Sequence, residues 1–296
     1  MSEFLKRTLS GAVYVGIVIG SVLWHPVAFG IVFLIVTVWG VSEYHRLMGS
    51  SRYARGGAVV GAALMWIAAL WALVAPEGLG QSWGIYALFG GSYALVIFAC
   101  ILEELWAKAA NPVANWGNLF VSQMMIALPF CSMIALLALD KWLLLALFVL
   151  IWVNDSGAYC VGSLTAKREG GNHKMFPRVS PKKSWEGLFG GFAFAILAAL
   201  LLQYYGWFDA LWCGGAENIA NNTKTAIVII FAILTCTFGT LGDLLESLMK
   251  RTIGVKDSGR FLPGHGGVLD RFDSMLLAAP MMAVFCWVCY AFLSLC

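Results

Sequence analysis

Long runs without a charged side chain alternate with short polar clusters along the 296-residue chain. Residues 8–42, 56–76, 78–102, 109–139, 187–208, 225–242 and 274–296 contain no Asp, Glu, Lys or Arg. A helix that crosses the hydrocarbon of a bilayer needs about 20 such residues. The interval 8–42 is too long for one crossing and is broken at Trp24-His25-Pro26, where Pro26 lacks an amide hydrogen and disfavours helix at His25. The apolar run from Trp142 to Thr165 is interrupted by Asn154 and Asp155 and counts as one helix. The pattern therefore predicts about nine membrane helices, near 5–24, 26–42, 57–75, 83–102, 119–138, 142–163, 187–205, 225–241 and 275–294. Backbone polar groups in lipid must be satisfied within the segment, so the expected fold is an all-α, polytopic integral membrane protein.

Composition excludes the alternative of a water-soluble domain. The chain is 60% hydrophobic and 12% charged, with a mean hydropathy of +0.81, too few polar residues to cover a solvated surface. Nine crossings put the termini on opposite sides, and the basic residues orient them. Of the 19 Lys and Arg, all but Lys141 and Lys224 fall before the first span or after spans two, four, six and eight. The positive-inside rule makes that side cytoplasmic, with the N-terminus on it. No small-x-small cleavage site follows the basic N-terminal residues, so the first span is expected to be retained. The net charge of +3 is accounted for by this orientation and implies no nucleic-acid partner. The eight cysteines, including the Cys286/Cys289 pair, lie mostly in apolar helices and read as small packing residues. The expected organisation is one integrated membrane domain. Residues 1–140 supply N-terminal helices, and 141–296 form a catalytic region with cytoplasmic loops at 164–186 and 242–274.

Polar residues concentrate in those two loops. In "GDLLESLMKR" (242–251) nothing interrupts a helix, and Asp243, Ser247 and Lys250 share one face, with Arg251 beside them. In "FLPGHGGVLDRFDS" (261–274) a proline and glycines forbid regular helix and allow amides to converge on an anion. Asp270 and Asp273 follow, at the expected start of the last span. Lys256, His265, Gly266, Gly267 and Arg271 surround them as candidate phosphate contacts, together with Arg251, Lys182 and Lys183, and Arg260 is a further cation nearby. In "RVSPKKSWEGLFGG" (178–191) Ser180-Pro181 reads as an N-cap and first helical residue, placing Lys182 and Lys183 in the first helical turn, where an anion would offset them. Asn154 and Asp155 lie half-way along span six, an expensive place for an ionisable group unless it faces a polar cavity. These two and Glu186 are candidate supporting residues. Carboxylates ringed by cations and a glycine-rich turn suit a polyphosphate with a divalent cation.

The residues Ser247, Lys250-Arg251, Lys256-Asp257, Gly259, Leu262-Pro263, His265-Gly266-Gly267 and Asp270-Arg271-Phe272-Asp273 resemble the pattern of the phosphatidate cytidylyltransferases. "SPKKSWEG" and "NDSGAY" resemble that family's other shared stretches. The resemblance lies in 140–296, and only "SEYHRL" (42–47) hints at it earlier. It implies transfer of CMP from CTP to phosphatidic acid, giving CDP-diacylglycerol and pyrophosphate for phospholipid synthesis. It implies a homodimer with Mg²⁺ and a possible second, monovalent cation, the metal on Asp243 and Asp270 with Asp273 nearby, and Ser247 and Lys250 lining the site. The expected location is the bacterial inner membrane, with the site facing the cytoplasm. Two rival readings make different demands. A CTP-dependent polyprenol kinase would transfer the γ-phosphoryl group instead. A transporter carrying a cation on Asp155 and Asp243 would show paired inverted repeats, and the sequence has no such symmetry.

Overall fold

The computed structural model describes residues 3–76, 83–167, 171–212, 219–259 and 266–293, with only the helical backbone given for 3–7. In chain order the helices are α1 (Glu3–Trp24), α2 (Pro26–Leu47), α3 (Arg52–Val74), α4 (Trp83–Ala107), α5 (Pro112–Ser122), α6 (Leu128–Leu139) and α7 (Lys141–Thr165). A hairpin of β1 (Lys174–Phe176) and β2 (Ser180–Ser184) follows. The chain then continues through α8 (Trp185–Tyr204), α9 (Asn221–Thr252), α10 (Leu269–Phe272) and α11 (Met275–Leu293). A π-helical turn, Gln123–Ala127, joins α5 to α6 into one 28-residue helix, Pro112–Leu139. Among the described residues, eight helices are long and apolar enough to cross a membrane, and α1 adds a shorter apolar stretch, Thr8–Trp24. Each predicted crossing thus coincides with a helix, and the protein is an integral membrane protein of the all-α class.

Helix starts are set by local chemistry. His25 accepts from the Val27 amide at 3.1 Å and Pro26 opens α2, so the break predicted at that proline is where α1 ends. Ser51, Asn111, Asp140 and Ser184 cap α3, α5, α7 and α8 by accepting from the amides of Ala54, Ala114, Trp142 and Gly187. The last of these corrects an expectation. Ser180-Pro181 does not start a helix: residues 180–184 form β2, paired antiparallel to β1 (Lys174 opposite Ser184, Phe176 opposite Ser180). Proline tolerates an edge strand, where no ladder donor is required of it, and the helix waits for the serine that can reach an amide three residues on.

The chain divides into two compact units, Met1–Ala135 with Thr252–Asp273, and Leu136–Arg251 with Ser274–Cys296. In the first, α2 buries Phe29, Phe33, Val36, Gly40, Val41 and Tyr44 at helical spacing. Phe29 and Phe33 stack at 4.4 Å, and Trp66 of α3 joins them and donates to the Gly30 carbonyl at 2.8 Å. Phe272 of α10 meets Phe33 and Phe130 edge-on at 5.6 and 5.4 Å. That aromatic anchor fixes the short helix bearing Asp270. In the second unit α7 is buried almost all round from Leu143 to Ile151. Its contact with α8 is made through glycines. A Cβ at Gly157 would sit 2.9 Å from Phe194, and one at Gly191 would sit 2.5 Å from Asn154 Oδ1. Backbones this close leave no room for side chains.

Candidate functional site

In the second unit, α7, the hairpin, α8 and α9 surround a cavity of about 240 Å³. Its lining includes Asn154 and Asp155 from the middle of α7, Lys182 and Lys183 from β2, Ser184 and Gly187 at the start of α8, and Thr240 and Asp243 of α9. Four residues singled out from separate stretches of sequence, Asp155, Lys182, Lys183 and Asp243, therefore share one space. Lys183 Nζ lies 2.8 Å from Asp243 Oδ2 and donates to the Thr240 carbonyl at 3.3 Å. The other carboxylate oxygen, Asp243 Oδ1, accepts from Ser247 Oγ at 3.2 Å, one helical turn on. Two carboxylates and two ammoniums leave the cavity close to neutral. Asn154 is buried while Asp155 and Lys182 are accessible, so among the described residues Lys182 offers a ligand an ammonium outside the Lys183–Asp243 pair.

The hairpin that presents the lysines is tied at its base. Glu186 accepts from the His173 amide through both oxygens (3.0 and 3.1 Å) and pairs with His173 Nδ1 at 2.6 Å. The Trp185 amide donates to the His173 carbonyl at 3.0 Å, and Asn172 Nδ2 donates to Gly162 O at 2.9 Å. Glu186 thus acts on the cavity through the strand that carries Lys182 and Lys183. Lys250, expected beside Asp243 and Ser247, pairs with Glu246 at 2.6 Å, both nearly buried. Arg251 is exposed at the end of α9.

The first unit holds the glycine-rich stretch. Asp270 Oδ2 accepts from the Gly267 amide (2.7 Å), the Ser258 amide (2.8 Å) and Ser258 Oγ (3.0 Å). Gly266 has φ +85°, and a Cβ there would stand 2.5 Å from Asp270 Oδ2, so the turn needs glycine on both counts. The amides of this turn do converge on anions, but the anions are the protein's own. Gly267 donates to Asp270, while Val268 and Leu269 donate to Glu43 at 3.3 and 3.1 Å. Asp273 is half-buried; Lys256 and Arg271 are exposed. The expected start of the last membrane helix at Asp270 is divided in two, α10 ending at Phe272 and α11 beginning at Met275. His265 and Arg260 lie outside the described residues. Glu43 is the functional candidate that reading the sequence missed. The second crossing was expected to end at residue 42, yet α2 runs on to Leu47 and buries Glu43 to 2% exposure. A carboxylate in an otherwise apolar helix was the available signal.

Among the described residues no group of three or more His, Cys, Asp or Glu is arranged to hold a metal ion. Mg²⁺ takes one or two carboxylates and completes its shell with water and phosphate oxygens rather than a protein cage. Asp243 and Asp155 in the cavity are hard oxygen donors of the required kind.

A polytopic α-helical membrane protein with paired lysines and carboxylates around one polar cavity has the charges to hold a phosphorylated ligand. Comparison gives the class a family. The model of the cytidylyltransferase family matches residues 5–289, and the chain belongs to that family. It is similar to the phosphatidate cytidylyltransferase of Haemophilus influenzae, 35% identical over 212 residues that cover 69% of this chain and 65% of that one. The phosphatidate cytidylyltransferases of Staphylococcus epidermidis and Staphylococcus saprophyticus are 40% and 41% identical over 137 and 138 residues. Each of those matches covers 46% of this chain and 46% of the relative, so the aligned part spans about half the length of these relatives.

Proposed function

We propose that this protein transfers CMP from CTP to phosphatidic acid, releasing pyrophosphate and forming CDP-diacylglycerol for phospholipid synthesis. The observation that carries the reading is the cavity: Lys182, Lys183, Asp155 and Asp243 around one space, in a chain matched by the family model along nearly its whole length. A phosphatidate oxygen attacks the α-phosphorus of CTP, the new P–O bond forms as the α–β bond breaks, and the electron pair leaves with pyrophosphate. No protein nucleophile is required. Lys182 and Lys183 bind and orient phosphate oxygens and neutralise the charge that gathers on the departing pyrophosphate. A phosphate that draws Lys183 away from Asp243 leaves that carboxylate as an open oxygen donor. Asp243, Asp270 and Asp273 would hold Mg²⁺, an assignment supported by the sequence pattern, and the ion would supply charge neutralisation at the phosphates. A second, monovalent cation belongs to the same proposal, as do a homodimeric state, a bacterial inner-membrane location and a cytoplasmic active site.

The test uses purified protein in detergent with phosphatidic acid, Mg²⁺ and CTP labelled separately at the α- and γ-phosphates. α-Label in lipid and γ-label in pyrophosphate are expected, with Asp243→Asn and Asp270→Asn each reducing transfer roughly 100-fold or more. γ-Label in lipid would instead make the protein a lipid kinase. Neither label moving would sink the reading.

A further inference from the structure

We infer that Glu43 is a positioning residue that holds the loop bearing Asp270, acting from α2 on a segment more than 200 residues further along the chain. The role rests on the reading of Asp270 as part of a cytidylyltransferase site, and deepens it. Glu43 is buried to 2% exposure near the C-terminal end of an apolar helix. A lone carboxylate there is costly unless its oxygens are supplied with donors, and among the described residues its donors are Ser258, Val268 and Leu269. Leu269 N donates to Oε1 at 3.1 Å, Val268 N to Oε2 at 3.3 Å, and Ser258 Oγ makes a very short contact with Oε1. The same serine hydroxyl lies 3.0 Å from Asp270 Oδ2, and its amide donates to that oxygen at 2.8 Å. Ser258 is therefore the bridge between the two carboxylates.

Shape says the same as hydrogen bonding. A Cβ on Gly267 would overlap the Glu43 carboxylate and the Ser258 hydroxyl, and one on Gly259 would overlap the other Glu43 oxygen. Gly259 and Gly267 leave only enough space for the Glu43 head group. Phe272, three residues past Leu269, is locked in the aromatic cluster against Phe33 of the same helix α2. Asp270 is thus held from both directions by one helix: through Ser258 and the 268–269 amides by Glu43, and through Phe272 by Phe33.

Glutamine at position 43 keeps one acceptor oxygen but turns an N–H toward the Val268 N–H, so two donors face each other. The first measurement is amide exchange in protein free of metal and nucleotide. In Glu43→Gln the amides of Ser258, Gly267, Val268 and Leu269 are expected to exchange about 10- to 100-fold faster, while those of α7 keep their wild-type rates. In the coupled assay, kcat for CMP transfer falls at least about tenfold, and KM for phosphatidic acid stays within about twofold. If Glu43→Gln does not fold, Gly267→Ala presses on the same carboxylate without changing any charge and must give the same exchange pattern. Wild-type exchange at those four amides in the folded variant overturns the proposal, and so does acceleration spread evenly over the chain. Should the wild-type protein move no α-label to lipid, the functional reading falls, and the exchange comparison still decides whether Glu43 holds the loop.

Discussion

With side-chain exposures of 23% and 29%, Lys183 and Asp243 have given up most of their hydration, and each recovers it from the other at 2.8 Å. The pair also defines how close α9 and β2 come, since Lys183 reaches the Thr240 carbonyl on the preceding turn. Half-shielded pairs of this kind contribute little net stability, but removing one partner strands the other. The glycines of α7 and α8 act at the same scale and set how closely these two helices, which both border the cavity, approach each other. Gly191→Ala would put a methyl group 2.5 Å from Asn154 Oδ1 and 2.8 Å from its carbonyl oxygen, forcing the helices apart beside Asp155. Overpacking of this sort costs about 1–3 kcal/mol. Thermal unfolding in detergent should show a lower Tm for Gly191→Ala, whereas Gly90→Ala, with nothing within 4 Å of its added carbon, should be neutral or slightly stabilising.

The β1–β2 hairpin is the element that departs most from a purely helical plan, and it carries both cavity lysines. Its base is closed by Glu186, which accepts from His173 at backbone and side chain. Glu186→Gln should loosen the hairpin without disturbing α8, because Ser184 still caps that helix. Limited trypsin digestion reads this directly: cleavage after Lys174 or Arg178 should become severalfold faster, and unchanged kinetics would show that the clasp does not hold the hairpin. The membrane helices were legible in the sequence because lipid allows only one solution to a long apolar run, and Pro26 marked a helix start by its missing donor. The hairpin was not legible because Ser180 and Ser184 are both plausible caps, and only tertiary pairing with residues 174–176 decides between them. Asp155, Lys182, Lys183 and Asp243 stood out because charge in an apolar chain is conspicuous wherever it occurs. Glu43 did not, because its partners lie 215 to 226 positions away and it sat where a crossing was expected to end.

At the scale of the whole chain, each added crossing moves the following loop to the other face of the membrane, so the number of crossings and the distribution of charge constrain each other. With nine crossings, Arg46, Arg52, Lys167, Lys182, Lys183, Lys250 and Lys256 all fall on the face that carries the N-terminus, which the positive-inside rule assigns to the cytoplasm. With α1 lying outside the membrane, every later loop would keep its relation to the others, but the N-terminus would change face. With the π-turned helix Pro112–Leu139 counted as two crossings, the loops before it and after it would share a face, and the next crossing, α7, would split Arg46 and Arg52 from Lys182 and Lys183. Nucleotide and a lipid headgroup can meet only on one face, so the proposed reaction requires Pro112–Leu139 to cross once. Single cysteines placed at Ser50, Asn172 and Ala220 of a cysteine-free variant decide whether Pro112–Leu139 crosses once or twice. In right-side-out vesicles a membrane-impermeant thiol reagent should label position 220 alone, and in inverted vesicles positions 50 and 172. Labelling of 50 and 172 from opposite faces would break the parity and with it the cytoplasmic site.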